Sequence, residues 1–371
     1  MAGLYIHLPV RKGHRAREQD APGDAGEAEI TAALSDEARL CAQRPTVTAP
    51  VSILYVGGGR PSLYSVDVVQ TLADTVSHEL GASALEEATV EISPADATPE
   101  YLTELHRHGV TRLSIGGISL VPEDLARTGA QHTRDDLVRT IQWSRDAGFE
   151  SFSVDLHFGG AERPRSNWKA SLHRAAELRV PHITLHERDL SGPSHNDDAH
   201  AERFAFAMTF LRSKGYEQYE LTHFARPGHR SQYQECVYAH GNVLGLGPGA
   251  ESFWWPDRSD PSMAQRWSNV EDTAAYVERL RSDEVPVEQH QVLDQPALAR
   301  EYILLRLRTS EGLDLDVLNK RYGVALHDRR AAALDRLAEE GLIHDDPNRV
   351  RLTPRGRLLA DAITQRLIRE G

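Results

Sequence analysis

The feature that most constrains this chain is a repeated alternation of short apolar runs with helical periods. Runs rich in β-branched and aromatic residues recur at Gly3 to Pro9, Ser52 to Gly57, Ala88 to Ile92, Arg112 to Gly116, Ser151 to Phe158 and His182 to His186. Each predicts a buried strand. Between them, apolar residues spaced three and four apart predict helices over Val66 to Leu80, Pro99 to His108, Thr133 to Ala147 and Ser166 to Leu178. Strands joined through helices take right-handed parallel crossovers, so six such units predict an open or partial barrel rather than a meander. A seventh strand is expected at Glu217 to Thr222. A charged, aperiodic stretch from Gly13 to Asp36 leads into a helix around Ile30 to Gln43.

In such barrels, loops at the C-terminal strand ends converge on one ligand-binding mouth. Those ends carry small and polar residues here: His7-Leu8-Pro9, Gly57 to Ser62, Glu91 to Pro94, Gly116 to Ser119, and Asp155 ahead of Gly159-Gly160. Glycine and proline also end ordinary strands, so this clustering alone does not decide the matter. From Leu298 onward the pattern is helical, and Gly341 to His344 with Val350 to Thr353 predicts a hairpin before a last helix. Helix, helix, hairpin is a winged-helix-like order. Acidic residues such as Asp314, Asp316, Asp328 and Glu339 on its helices favour packing or a protein partner over DNA.

Composition closes off other classes. A chain of 371 residues with 40% hydrophobic content can bury one large core and one small one. With 42 Lys and Arg against 55 Asp and Glu, the net charge of −13 opposes binding to nucleic acid. Two cysteines, Cys41 and Cys236, supply neither a disulfide framework nor an all-cysteine metal site, and they fit a reducing cytoplasm. No run approaches the roughly 18 apolar residues of a membrane helix and no secretory leader is seen, so a cytosolic protein without membrane insertion is expected.

Specific segments narrow the reading further. LYIHLP (4–9), GGGRPSLYS (57–65), VEISPADATPEYLTELHRHGVTRLSIG (90–116), GYEQYELTHFARPG (215–228), LGLGPGAESF (244–253) and LTPRGRLLADAI (352–363) occur in that order. Together they resemble the heme chaperone HemW and the oxygen-independent coproporphyrinogen oxidases, from Gly3 through the C-terminal module. The resemblance implies a partial (β/α)6 TIM-type barrel of the radical SAM kind with a C-terminal α-helical, winged-helix-like domain. It divides the chain into a barrel at 1–225, an extension and connecting segment at 226–294, and the C-terminal domain at 295–371.

Relatives of this kind carry CxxxCxxC just after the first strand, and its three thiolates hold a four-iron four-sulfur cluster. The matching positions here are Arg11, Arg15 and Glu18. A guanidinium cannot ligate iron and one carboxylate cannot replace three thiolates, so no cluster and no reductive cleavage of S-adenosylmethionine are expected. The cradle for S-adenosylmethionine is partly kept: the resemblance assigns cofactor contacts to Gly57, Gly58, Gly59, Glu91, Arg145 and Asp155. A glutamine usual after the fourth strand is Ile118 here. The alternative is that the glycines only shape a turn and that Asp155 satisfies backbone donors.

The family's heme-associated motif HNxxYW corresponds to Tyr233-Gln234-Glu235-Cys236-Val237-Tyr238. Tyrosinate or thiolate can ligate ferric heme, so Tyr233 and Cys236 are candidate axial ligands, with His229 and His240 nearby. An ordinary polar loop is the alternative. His182, His186, His195 and His200 do not read as a metal site, because His182 and His186 on one strand lie about 13 Å apart at roughly 3.3 Å per residue. Trp254, Trp255 and Trp267 suit either a flat macrocycle or the core, with the core favoured. Three functions follow: a heme or porphyrin handler with an acceptor protein, an active coproporphyrinogen oxidase-like enzyme, or a protein-interaction scaffold.

Overall fold

The computed structural model describes residues 2–10, 26–44, 47, 50–82, 85–159, 164–187, 197–257 and 264–368. Strands β1 (Ala2–Leu8), β2 (Val51–Gly58), β3 (Glu87–Ile92), β4 (Arg112–Ile118), β5 (Ser151–Phe158) and β6 (His182–Glu187) lie in sequence order, each parallel to the next. Helices α1 (Glu27–Ala42), α2 (Val66–Glu79), α3 (Pro99–Arg107), α4 (Pro122–Thr128), α5 (Arg134–Asp146) and α6 (Arg165–Glu177) return the chain between them. The expected strands and helices form here, with ends moved by at most three residues. Local chemistry explains the starts: Thr98 caps α3 ahead of Pro99, and Thr133 and Asp136 exchange hydrogen bonds in a capping box that opens α5.

The seventh strand differs from expectation. After α7 (Asp197–Ser213), the segment 217–225 forms a hairpin of β7 (Glu217–Gln218) and β8 (His223–Ala225), and β8 pairs with β6 antiparallel. The reversal is set by Glu220, whose carboxylate accepts from Thr222 N–H (2.7 Å) and Thr222 Oγ1 (2.8 Å) and so tightens the turn. Helix α8 (Gln232–Tyr238) then leads into β9 (Asn242–Leu246), which lies parallel to β1 on its other side. Strands β10 (Glu251–Trp254) and β11 (Gln265–Asn269), helix α9 (Thr273–Arg281) and β12 (Val287–Val292) extend that edge antiparallel. Among the described residues the sheet has 12 strands, ordered β12-β11-β10-β9-β1-β2-β3-β4-β5-β6-β8-β7.

The strand faces sort by period two. Leu4, Ile6, Leu8, Val90, Leu113, Ile115, Val154, Leu156, Ile183 and Leu185 are buried under the helices. The opposite faces of β1 to β6 line one shared cavity, so the sheet curls around it as a partial barrel. Helices α10 (Gln295–Leu307), α11 (Leu315–Tyr322), α12 (Leu326–Glu339), α13 (Pro354–Arg357) and α14 (Ala360–Ile368) build the C-terminal domain, with short β13 (Leu313–Asp314) paired to β14 (Arg349–Val350). An antiparallel bridge between Ile343 and Leu352 places the expected hairpin after α12. The domain docks through Glu220, fully buried, which accepts from Arg308 Nε (2.8 Å), while Ser310 N–H donates to Tyr219 O (2.9 Å). Among the described residues no helix is long and apolar enough to cross a membrane.

Candidate functional site

The inward faces of the six parallel strands carry polar side chains in register. Tyr5 sits opposite Tyr55, Tyr55 opposite Thr89, Thr89 opposite Arg112, Glu91 opposite Ser114, Ser153 opposite His182, and Asp155 opposite Thr184. These residues, with His186, His223 and part of α8, enclose a cavity of about 430 Å³. That volume lies at the small end of ligand sites, which run from roughly 300 to 1,000 Å³.

At the mouth, formed by the C-terminal strand ends, two carboxylates face each other. Glu91 accepts from Tyr55 Oη at 2.9 Å. Burial pushes its carboxyl up to about 7, and the charge of Asp155 adds to that rise. Asp155 accepts from Ser114 Oγ (3.0 Å) and Ser153 Oγ (3.3 Å), and its Oδ2 lies 3.6 Å from His186 Nε2. Burial works to raise Asp155, but His186 and the hydroxyls of Ser114 and Thr184 outweigh it and hold the acid below its ordinary range. The same contact raises His186. One end of the cavity therefore carries a matched acid–imidazole pair beside an acid near its titration midpoint at neutral pH.

The floor, at the N-terminal strand ends, has the opposite character. Arg112 opens β4 and is 2% exposed; His182 opens β6 and is 1% exposed. His182 pairs with Tyr219 Oη at 3.0 Å and stacks on His223 with ring centroids 5.5 Å apart. Burial holds both imidazoles neutral, His223 at about 4, and the nearby Arg112 charge acts in the same direction. Helix α8 plugs this end. Glu87, at the start of β3, accepts from Ser231 Oγ (3.1 Å), Gln232 N–H (2.9 Å) and Tyr233 N–H (3.1 Å), which fixes the first turn of α8 against the barrel.

The structure brings some of the expected residues together. Glu91 and Asp155 meet at the mouth, and Gly57 packs on Glu91: a side chain there would put its first carbon 2.9 Å from Glu91 Oε1. Gly58, at φ +111°, and Gly59 serve a second purpose. A Cβ on Gly58 would lie 2.8 Å from Leu8 O, and one on Gly59 would lie 2.4 Å from Val10 N. The two glycines let the end of β1 lie against the loop, where Gly59 N–H donates to Leu8 O at 2.8 Å. Arg145 is not in this group, which corrects the expected cradle. It ends α5, and helices that follow barrel strands finish at the floor end; there Arg145 donates to Leu178 O (2.5 Å) and Arg179 O (3.1 Å) and lies over Phe152. Arg11, Arg15, Glu18 and Gly160 lie outside the described residues.

The heme-associated stretch forms helix α8 rather than a loop, held at the floor by Glu87. Tyr233 lines the cavity and packs on Tyr55 with centroids 4.7 Å apart. Cys236 is buried, with Sγ 3.6 Å from Asn242 O. His240 is buried between Phe253 and Tyr322, bonded to Tyr322 Oη at 2.9 Å, and His229 offers its carbonyl to Arg112. Trp254, Trp255 and Trp267 are all core, and Trp255 Nε1 donates to His240 O at 3.0 Å. Sequence reasoning missed Arg112, Thr184 and His223 as cavity residues and weighed His182 only as a metal ligand. Their signal was available: polar residues alternate with apolar ones along Arg112-Leu113-Ser114-Ile115 and His182-Ile183-Thr184-Leu185-His186.

Comparison with known proteins places this geometry. The Radical SAM superfamily model matches residues 43–175 and the HemN C-terminal domain model matches residues 293–359. The fold resembles that of the coproporphyrinogen III oxidase HemN from Escherichia coli, a radical SAM enzyme, at a TM-score of 0.78 and 19% identity, covering 99% of this chain and 89% of that one. The heme chaperone HemW of Mycobacterium tuberculosis is 28% identical over 388 residues, covering 99% of this chain and 94% of that protein. The heme chaperone HemW of Escherichia coli is 30% identical over 264 residues, 67% of this chain and 68% of that protein. On these likenesses the chain belongs to the HemW-like family of radical-SAM-type proteins.

Proposed function

We propose that this protein binds a tetrapyrrole, heme foremost, and passes it to an acceptor protein without radical chemistry. The observation that carries the reading is a count of donors. A site-differentiated cluster needs three thiolates, and the sequence holds two cysteines. They also sit on different helices. Cys41 is on α1, where burial, with the charge of Glu37 adding, pushes its thiol up to about 12; Cys236 is on α8 at the barrel floor. Neither follows β1, and positions 11, 15 and 18 hold Arg, Arg and Glu.

The tetrapyrrole half of the reading comes from relatives that are named heme chaperones. In this chain Tyr233 is the candidate ligand with access to a cavity, while Cys236 needs α8 to shift before it can reach iron. S-adenosylmethionine remains a secondary candidate at the mouth, where Glu91 and Asp155 suit amino or ribose groups. The glycine loop there is already engaged by β1.

Two measurements test this. Protein reconstituted anaerobically with iron and sulfide is expected to hold neither above background after desalting; stoichiometric iron and sulfide would restore the enzyme reading. Heme titration is expected to give a saturable Soret shift that changes in Tyr233→Phe. A flat titration removes heme as the ligand, and an unchanged spectrum in both Tyr233→Phe and Cys236→Ala moves the axial ligand elsewhere.

A further inference from the structure

We propose that the barrel floor is a carboxylate-binding site built on Arg112 and His182. Arg112 is the less ordinary of the two. Its Nη1 donates to two uncharged acceptors, Ser151 Oγ (2.5 Å) and His229 O (3.1 Å), and its buried Nη2 has no partner. Among the described residues no carboxylate forms an ion pair with it. A buried guanidinium without an ion-pair partner is costly to keep, and the cost is recovered when an anion pairs with it.

His182 supplies a second donor. The hydroxyl of Tyr219 accepts from Ser231 N–H at 3.3 Å and lies 3.0 Å from His182 Nε2, and the proposed site takes the tautomer in which Tyr219 donates to that nitrogen. The ring proton of the neutral imidazole then sits on Nδ1, and Nδ1 has no partner. A cation and an N–H, each at least nine-tenths buried, thus line one cavity, and among the described residues neither Arg112 Nη2 nor His182 Nδ1 has an acceptor. The hydroxyls of Thr89, Ser114 and Ser153 line the path from the mouth. The mouth does not close this path to an anion, because Asp155 is matched by His186 and Glu91 is near half-protonated at neutral pH.

The planar guanidinium fork selects a carboxylate over a spherical anion. The carboxylate has two sources: a free short-chain acid, or a propionate arm of a tetrapyrrole reaching down from the mouth. Only the second rests on the heme reading.

The test titrates the full chain with sodium succinate and sodium propionate at ionic strength fixed by chloride, read by calorimetry and by unfolding temperature. Saturable binding with a rise in Tm is expected. Arg112→Met is expected to weaken succinate binding roughly tenfold or more, the scale of one charge-assisted hydrogen bond. Arg112→Lys keeps the charge without the fork and is expected to fall between. His182→Phe removes the second donor while leaving the cation, and a severalfold loss is expected even where Arg112→Met does not fold. No saturation in the wild type overturns the site, as does unchanged affinity in His182→Phe together with a folded Arg112→Met. Displacement of succinate by hemin but not by hemin dimethyl ester assigns the site to a propionate arm, and displacement by neither assigns it to a free acid. Displacement by both means that the ring blocks the cavity and counts against carboxylate recognition. Hemin that fails to bind while succinate saturates ends the heme reading and leaves this site standing.

Discussion

The mouth and the floor of this barrel are built from the same six strands, yet they hold charge in opposite ways. At the mouth, acids are partnered by groups that can respond: Asp155 has His186 and two serine hydroxyls, and Glu91 has Tyr55. At the floor, among the described residues, Arg112 is hydrogen-bonded to neutral groups, and two imidazoles are held uncharged. Barrels of this type place chemistry at the mouth and reserve the floor for stability. Here the floor is stabilised by a different group, Glu87, which fixes the start of α8.

The largest effect that breaks this comparison is therefore expected at Glu87. Glu87→Ala leaves three donors at the start of α8 without an acceptor. The expected cost is about 3 kcal/mol, read as a lowered urea midpoint, and Glu87→Gln should recover part of it. A loss under about 1 kcal/mol would show that α8 is not anchored there. At the mouth, the corresponding structural device is Gly58. Gly58→Ala forces a side chain onto φ +111° and against Leu8 O, for an expected loss of about 2 kcal/mol in the same measurement.

The mouth side of this division was legible in the sequence. The barrel follows from strand and helix periods, and Glu91 and Asp155 were singled out by the family resemblance on strands whose ends form the mouth. What escaped was set by geometry that no local pattern encodes. Arg145 suits a carboxylate chemically, but its helix carries it to the wrong end of the barrel. The hairpin of β7 and β8 depends on Glu220, whose partner Arg308 lies 88 residues away. The floor residues were readable as a period-two polar pattern, yet attention to strand ends passed over strand beginnings. Whether a histidine such as His240 is a ligand or packing depends on the rings around it, which come from β10 and the C-terminal domain.

The pH dependence of stability sharpens the contrast because the raised acid Glu91 and the lowered floor imidazoles have opposite signs, while Asp155, held low by His186, shares the sign of the floor. A carboxyl raised to about 7 binds its proton more tightly in the folded state, so Glu91, with Glu37 behind the mouth also at about 7, loses stability as pH rises from about 4.5 to 7. His223, lowered to about 4, and His182 bind protons more tightly when unfolded, so the floor gains stability as pH rises from about 4 to 6.5. Each group contributes at most about 1.4 kcal/mol per pH unit, and the wild type should show a shallow sum. Glu91→Gln is expected to steepen the rise between pH 4 and 6.5, whereas His223→Gln is expected to turn it toward a fall. Matching pH profiles for the two variants would sink the assignment of opposite signs.

The smallest effect is expected from Arg145, and its size is the point. A guanidinium that caps two carbonyls at the end of α6 and lies over Phe152 contributes about 1 kcal/mol, so Arg145→Ala should lower the unfolding midpoint slightly. Because it sits at the floor end, outside the cavity lining, it should leave the affinity for S-adenosylmethionine, heme or succinate unchanged within error. Asp155→Asn is the matching control at the mouth: the same affinity screen should respond there to any ligand that uses the acid–imidazole pair. An Arg145→Ala variant of unaltered stability that lost tenfold in S-adenosylmethionine affinity would return Arg145 to the cradle. It would also mean that α5 ends elsewhere in the working protein, since no side chain spans the barrel from that position.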